Sequence, residues 1–373
     1  MIYFDNAATS STKPEVVYDA FNHYIRDIAV SPGRGSYSLG ITASRMLYQS
    51  RKTVSDFFGS SAPENVVFTK NSTEAINLFF NGFLKKGDHV LISCYEHNAV
   101  LRPLHSLKQE GVIDYTILPE YALYDDDCDL NEFVKSNTKL AAITLASNLT
   151  GQIVFSSSLA EKLKSYGLTV FVDASQGAGK KLLDMRRDSI DVLAFTGHKD
   201  LLGLPGVGGL HSVNDLRITP LIQGGTGIYG DSYVNPQAFP EAYEAGTLNM
   251  PAIWALKNAM EYINEHIAEM NKKESELTQY LMKSMLELPN VVVYNADKPR
   301  VSTLAFNVNG KSSSDIVALL DKNEICVRGG IHCAILAHET LGTVKTGAVR
   351  VSLNSYNTKD EIDAFIKVIG GIN

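Results

Sequence analysis

Lys199 closes the segment Thr196-Gly-His198-Lys199, directly after the apolar run Val192-Leu-Ala-Phe195. A lysine at the end of a buried strand is desolvated, which penalises the ammonium and lowers its pKa toward that of a usable amine nucleophile. Such an amine suits Schiff-base chemistry. A second apolar run, Thr169-Val-Phe-Val, ends in Asp173 and continues into Ala-Ser-Gln176. Open α/β sheets place ligands at strand C-termini, although an aspartate there can also simply cap the next turn. Lys70-Asn-Ser72-Thr73-Glu opens a helix directly after a strand, presenting N–H groups, hydroxyls and a positive dipole end to an anion. Ordinary capping accounts for Ser72 and Thr73 as well. His97, just past another strand, could stack on a flat ring, but a lone histidine is more often structural.

An amine, a carboxylate to keep a ring nitrogen protonated, a phosphate cradle and a group over a ring face are the needs of pyridoxal 5'-phosphate. Lys199, Asp173, the Ser72–Thr73 turn and His97 can supply them. Cys333 adds a nucleophile of another kind. Most cytosolic cysteines are inert fillers. This one follows Gly329-Gly330 and His332 in an expected loop, where mobility, access and a nearby base favour a thiolate. Cys94 ends a strand, Cys128 lies in an acidic loop and Cys326 belongs to an apolar strand, so none of these is expected to do chemistry.

The elements that must position these residues alternate in type. Strands are predicted at 65–69, 89–93, 114–118, 140–146, 169–173, 192–196 and 208–211, with helices at 72–84, 98–110 and 157–166. That alternation marks a mostly parallel sheet covered by helices. After Pro251 a helical pattern runs without glycine or proline from 252 to about 286. Strands at 291–293, 303–308 and 349–353, with helices at 312–321 and 359–369, give a smaller α+β unit.

The 373 residues include 45% hydrophobic and 20% charged, enough to bury a large core, and the formal net charge is −7. Interspersed acids and bases argue against a dedicated nucleic-acid binder. Four scattered cysteines form neither a disulfide framework nor a zinc ribbon. The N-terminus has no signal-peptide pattern and no run reaches the ~18 apolar residues of a membrane helix, so the expected location is cytoplasmic, with no membrane partner.

Three motifs are set aside. Asp125, Asp127 and Asp129 imitate a calcium loop, but Leu130 replaces the turn glycine and Ser136 the bidentate glutamate, so no metal is expected. Gly225-Thr-Gly227-Ile-Tyr-Gly230 matches GxGxxG and follows a plausible strand, yet Pro236 and the polar 231–235 stretch oppose the required helix. HExxH, GxxxxGK[ST] and GxSxG are absent.

Five segments in order carry a family resemblance: Tyr3-Phe-Asp-Asn-Ala-Ala-Thr9, Tyr95-Glu-His97-Asn, Val172-Asp173-Ala-Ser-Gln176-Gly, Thr196-Gly-His198-Lys199 and Val327-Arg-Gly-Gly-Ile-His-Cys333-Ala. Together they resemble the class V aminotransferases of fold-type I, in the cysteine desulfurase and selenocysteine lyase branch. Arg350-Val-Ser-Leu-Asn-Ser-Tyr-Asn-Thr358 is similar to a segment of its SufS-like group.

The resemblance implies a large pyridoxal-phosphate domain with a mostly parallel seven-stranded sheet over 15–255. A small α+β domain of 1–14 and 256–373 would carry the cysteine loop. It further implies that Lys199 holds the cofactor, Asp173 pairs with its ring nitrogen, Gln176 bonds the ring hydroxyl and His97 stacks on the ring and shuttles protons. Ser72, Thr73, Thr196 and His198 would hold the phosphate. A homodimer is implied, with Thr226 reaching the phosphate of the neighbouring protomer. Asn148 would sit beside cofactor and substrate, Arg350 would clamp the substrate carboxylate, and Arg34 would assist it.

The implied reaction converts L-cysteine to L-alanine with the sulfur left on Cys333 as a persulfide, for a sulfur-acceptor protein and processes such as iron–sulfur cluster assembly. The short stretch from Cys333 to Arg350 implies restricted thiol reach and slow turnover without that partner. Residues 335–342 differ from the better-studied desulfurases, which leaves acceptor and selenium preference open. Alternatives are an aminotransferase or other lyase acting on a small amino acid with Cys333 incidental, and a non-catalytic sulfur-relay scaffold. The presence of Lys199, Asp173, Arg350 and Cys333 opposes the scaffold.

Overall fold

A computed structural model describes residues 1–33 and 35–372. Its centre is a seven-stranded sheet in the order Val66–Thr69, Gly208–Ser212, Val192–Thr196, Thr169–Asp173, Thr138–Thr144, Asp88–Ser93, Ile113–Leu118. The last five strands run parallel, and Gly208–Ser212 is antiparallel to both its neighbours.

Side chains alternate across a strand with period two, so a sheet buried on both faces feeds two cores. Ala141, Ile143, Val170, Val172, Leu193 and Phe195 enter one cluster, together with residues of the helix Met250–Leu286. Leu140, Ala142, Phe171, Val192 and Ala194 enter the other, against the helices Ser72–Phe83 and Asn98–Gln109. This accounts for the unbroken apolar runs that made these strands readable.

A four-stranded antiparallel sheet follows in the order Arg328–Gly330, Ala348–Ser352, Thr303–Val308, Val291–Val293. It packs with the helices Ser313–Lys322 and Lys359–Gly370 around Leu304, Phe306, Val349, Val351 and Phe365. The N-terminal strand Ile2–Tyr3 pairs with Ile325–Cys326 beside this sheet. A large mostly parallel sheet and a smaller antiparallel one therefore make up the expected mixed architecture.

Several elements escape the sequence reading. The helices Glu15–His23 and Ser38–Phe57 pack against Met250–Leu286, and short pieces at Glu120–Tyr124, Arg328–Gly330 and Ile335–Thr340 carry too few residues to show a period. The strand expected before Gly225 is not there: between Ser212 and Met250 the only regular element among the described residues is the turn Glu241–Tyr243. Pro220 removes a ladder donor from that stretch. No helix among the described residues is long and apolar enough to cross a membrane.

Candidate active site

Thr69, Ser93, Thr144, Asp173 and Thr196 end their strands on one edge of the large sheet, as the registers Thr144 with Asp173 and Thr69 with Gly208 with Thr196 require. The segments leaving that edge enclose a cavity of about 210 Å³. It is lined by Ser72, Thr73, His97, Asn148, Asp173, Gln176, Thr196, His198 and Lys199, so nine of the expected residues meet in one place.

Each is held by local chemistry. Asn71 caps the helix Ser72–Phe83 by accepting from the Glu74 amide at 3.0 Å, which leaves the free N–H groups of its first turn facing the cavity. Gly208 backs this cap: a Cβ there would lie 2.7 Å from the Asn71 carbonyl carbon. His97 caps the helix Asn98–Gln109, its Nδ1 accepting from the Ala99 amide at 3.0 Å, so a neutral ring carries its proton on Nε2. Burial, reinforced by the charges of Lys199 and Arg328, pushes the His97 pKa down to about 3, which keeps that ring neutral.

Asp173 is 2% exposed and accepts from the Ser175 amide at 3.0 Å and the Ser175 hydroxyl at 2.5 Å, both on Oδ1. Burial raises its pKa, and burial lowers that of Lys199. Each would gain from a ligand, Asp173 from a cationic ring nitrogen and Lys199 from a carbonyl carbon. The Thr196 hydroxyl is buried with no hydrogen-bond partner, as a phosphate ligand would be before its anion arrives. A helix N-terminus, an orphaned hydroxyl, a buried carboxylate and a desolvated lysine around about 210 Å³ fit pyridoxal phosphate. Lys199, Asp173, Ser72, Thr73, Thr196 and His198 are the residues able to hold it.

Gln176 lines the cavity, but its side-chain nitrogen donates to the Ala7 carbonyl at 2.8 Å. The His198 carbonyl accepts from the Ser10 amide at 3.0 Å and from the Thr9 hydroxyl at 3.1 Å. The N-terminal motif therefore closes over the site.

Arg350 and Cys333 do not line this cavity and reach it through tethers. Arg350, 1% exposed, donates to the Asn148 carbonyl at 2.9 Å and pairs with Asp5, while its buried Nε has no partner. Cys333 is exposed. Its carbonyl accepts from the Asn98 amide at 2.8 Å, and the preceding His332 carbonyl accepts from the Asn148 side chain at 2.7 Å. His332 and Cys333 both have φ of +56°, a strained left-handed pair held open at the site rim. Thr226 is half-buried away from this cavity, in the glycine-rich 223–230 stretch beside other pockets. Arg34 lies outside the described residues. Cys94 is buried, with its thiol pushed up to about 12 by burial, as suits an inert residue.

Two participants escape sequence reasoning. Glu96 is fully buried, its Oε1 accepting from the Ser93 hydroxyl at 2.5 Å and the Thr144 amide at 2.6 Å. Burial and the adjacent Asp173 charge, against those hydrogen bonds, raise its pKa to about 8. Asp5 neutralises Arg350. Both stand in quoted motifs, beside His97 and Asn6, but adjacency in sequence gives neither burial nor a distant partner.

The Aminotransferase class-V family model matches residues 2–365. A probable cysteine desulfurase of Methanothermobacter thermautotrophicus is 33% identical over 370 residues, covering 97% of this chain and 92% of that protein. A cysteine desulfurase of Yersinia pseudotuberculosis is 30% identical over 379 residues, covering 98% of this chain and 92% of that protein. Among solved structures, the apo cysteine desulfurase from Thermococcus onnurineus NA1 superposes with a TM-score of 0.88 at 32% identity, covering 99% of this chain and 94% of that one. The cysteine desulfurase CsdA from Escherichia coli gives 0.85 at 29% identity, covering 98% and 93%. With a family match and relatives that span almost its whole length, the chain belongs to the class-V aminotransferase family.

Proposed function

We propose that this protein is a pyridoxal-phosphate-dependent cysteine desulfurase that converts L-cysteine to L-alanine and leaves the sulfur on Cys333 as a persulfide. The observation that carries the reading is the exposed Cys333 on a loop whose carbonyls are held by Asn98 and Asn148, next to the lysine and aspartate cavity.

The bound cofactor supplies an electrophilic carbon for the amino group and an electron sink for the Cα–H bond. Around it, the Arg350 guanidinium binds the substrate carboxylate, with its unpartnered Nε as a donor already desolvated for that task. Asp173 stabilises positive charge on the ring nitrogen. Lys199, held below its ordinary pKa by burial, is positioned to exchange a proton at Cα. His97, kept neutral by burial with its proton on Nε2, can donate a hydrogen bond from that atom to the substrate sulfur. The Cys333 thiolate attacks the substrate sulfur, so its S–S bond forms as the substrate C–S bond breaks, and the alanine carbon skeleton takes up a proton.

Four further elements belong to the same reading. Residues 15–255 form the cofactor-binding unit, with 1–14 and 256–373 as the smaller one. The active unit is a homodimer to which Thr226 of the partner subunit contributes, supported by the exposed Ile228, Tyr229, Tyr233 and Val234 around that position. An acceptor protein takes the sulfur, and the reaction runs in the cytoplasm.

The test is alanine release from L-cysteine by the cofactor-loaded protein, with a reductant present and Cys333→Ala beside it. Alanine from the wild type but not the variant is the expected result. No alanine from either, with the cofactor still bound through Lys199, would overturn the reading in favour of an aminotransferase or other lyase. Assay with L-selenocysteine separates the selenocysteine lyase alternative.

A further inference from the structure

Behind the active site, a cavity of about 740 Å³ opens between the helix Met250–Leu286 and residues 296–302. That volume suits a small organic ligand. Five cations, Lys180, Lys181, Lys283, Lys298 and Arg300, line it with the two carboxylates Glu274 and Glu287, while Asp200 pairs with Lys180 from outside the lining and Asp188 and Asp297 lie near Lys181 and Arg300. Of the five, only Lys180 has carboxylates within ion-pair distance among the described residues, Asp200 at 3.0 Å and Glu274 at 3.1 Å.

Lys181 donates to the Phe155 carbonyl at 2.9 Å, and Arg300 donates to the Thr150 carbonyl at 3.1 Å and to that of Asn295. Carbonyl oxygens satisfy donors without cancelling a charge. Burial, against the nearby charges of Asp188 and Asp297, pushes the Lys181 ammonium below its ordinary pKa and the Arg300 guanidinium down to about 10. An anion entering the cavity would relieve both. Ile153, Met282, Leu286 and Val301 supply an apolar wall beside these charges.

The cavity's side chains also hold the back of the active site. Asp200, paired with Lys180, follows Lys199 in the chain and accepts from the Gly177 amide at 2.7 Å through its other oxygen, next to Gln176. Arg300 grips Thr150, and the Val301 amide donates to the Gly151 carbonyl at 2.8 Å, in the loop that carries Asn148. Gly151 has φ of +73° and a Cβ there would stand 2.3 Å from the Thr303 carbonyl oxygen, so this loop packs closely against residues 300–303.

We propose that this cavity is an effector site for an organic anion with an acidic head and an apolar body, read by the active site through the Lys180–Asp200 and Arg300–Thr150 contacts. The head sits among Lys181, Lys283 and Lys298, and the body lies on Met282 and Leu286. Binding is independent of which reaction the active site performs.

Octyl phosphate is a suitable probe, titrated calorimetrically into the cofactor-loaded protein, with inorganic phosphate and octyltrimethylammonium as controls. The proposal expects octyl phosphate to bind at least tenfold more tightly than either control. It expects the double variant Lys181→Gln and Lys298→Gln to weaken octyl phosphate at least tenfold while retaining the wild-type turnover of L-cysteine without probe. Lys283→Gln, at an exposed position, gives a smaller loss in the same direction should the double variant fail to fold. Saturating probe should shift the visible absorption of the bound cofactor or the KM for L-cysteine. Unchanged affinity in the variants, or equal binding of the cationic amphiphile, would overturn the site. Binding that moves neither the spectrum nor KM would overturn the communication.

Discussion

Asp5 neutralises a guanidinium that is 1% exposed, before any substrate arrives. A buried arginine without a counterion is costly, and one that pairs through Nη2 while Nε stays free is already oriented for a carboxylate. Asp5→Asn keeps the acceptor and removes the charge. It should raise the KM for L-cysteine about tenfold with a much smaller change in kcat, read by steady-state kinetics. Glu96 poses the opposite problem, a carboxyl with one oxygen unpartnered and a pKa raised from 4.5 to about 8. Between those values the folded state holds a proton that the unfolded state has released, so Glu96's contribution to stability falls as pH rises through that window. Glu96→Gln mimics the protonated acid. Melting curves should show the variant gaining on the wild type by several degrees at pH 8.5 relative to pH 5.

At the scale of elements, Lys180 joins Asp200, next to Lys199, to Glu274 on the long helix, and also donates to Ser302 at 2.5 Å and the Leu353 carbonyl at 3.1 Å. One ammonium thus pins the large sheet, the helix and the small sheet together. Lys180→Met leaves two buried carboxylates unpaired and should cost about 3–5 kcal/mol in denaturant unfolding. Gly208→Ala should act locally: the new methyl meets the Asn71 cap, displaces the N–H groups of the Ser72–Phe83 helix and weakens cofactor binding severalfold, measured by the absorbance of the retained cofactor. The strands carrying Asp173 and Lys199 were legible because burial on both faces leaves an unbroken apolar run that ends abruptly at a polar residue. The helices Glu15–His23 and Ser38–Phe57 were not, since exposed apolar residues such as Val16, Tyr18, Leu39, Ile41 and Tyr48 blur their amphipathic period.

Across the whole molecule, burial holds His97 and His332 down to about 3 and His198 and His211 down to about 4, so all four are neutral in the fold. Unfolded histidine titrates near 6.5. Below that value the unfolded chain takes up protons that the folded one refuses, so the stability these sites contribute above about pH 6.5 is lost as pH falls toward 4 and 3. Chemical unfolding followed from pH 7 to 4 should therefore steepen in loss below 6.5, and less so in His211→Gln. The identities and order of the motifs, the strand ends bearing Asp173 and Lys199 and the loop bearing Cys333 are all local properties, written in residue type and period. Which partners those residues meet is not local. Asp5 finds Arg350 across 345 positions, Asn148 finds the His332 carbonyl across 184, and Lys180 bridges three elements, because burial and charge pairing are set only when distant segments close on one another.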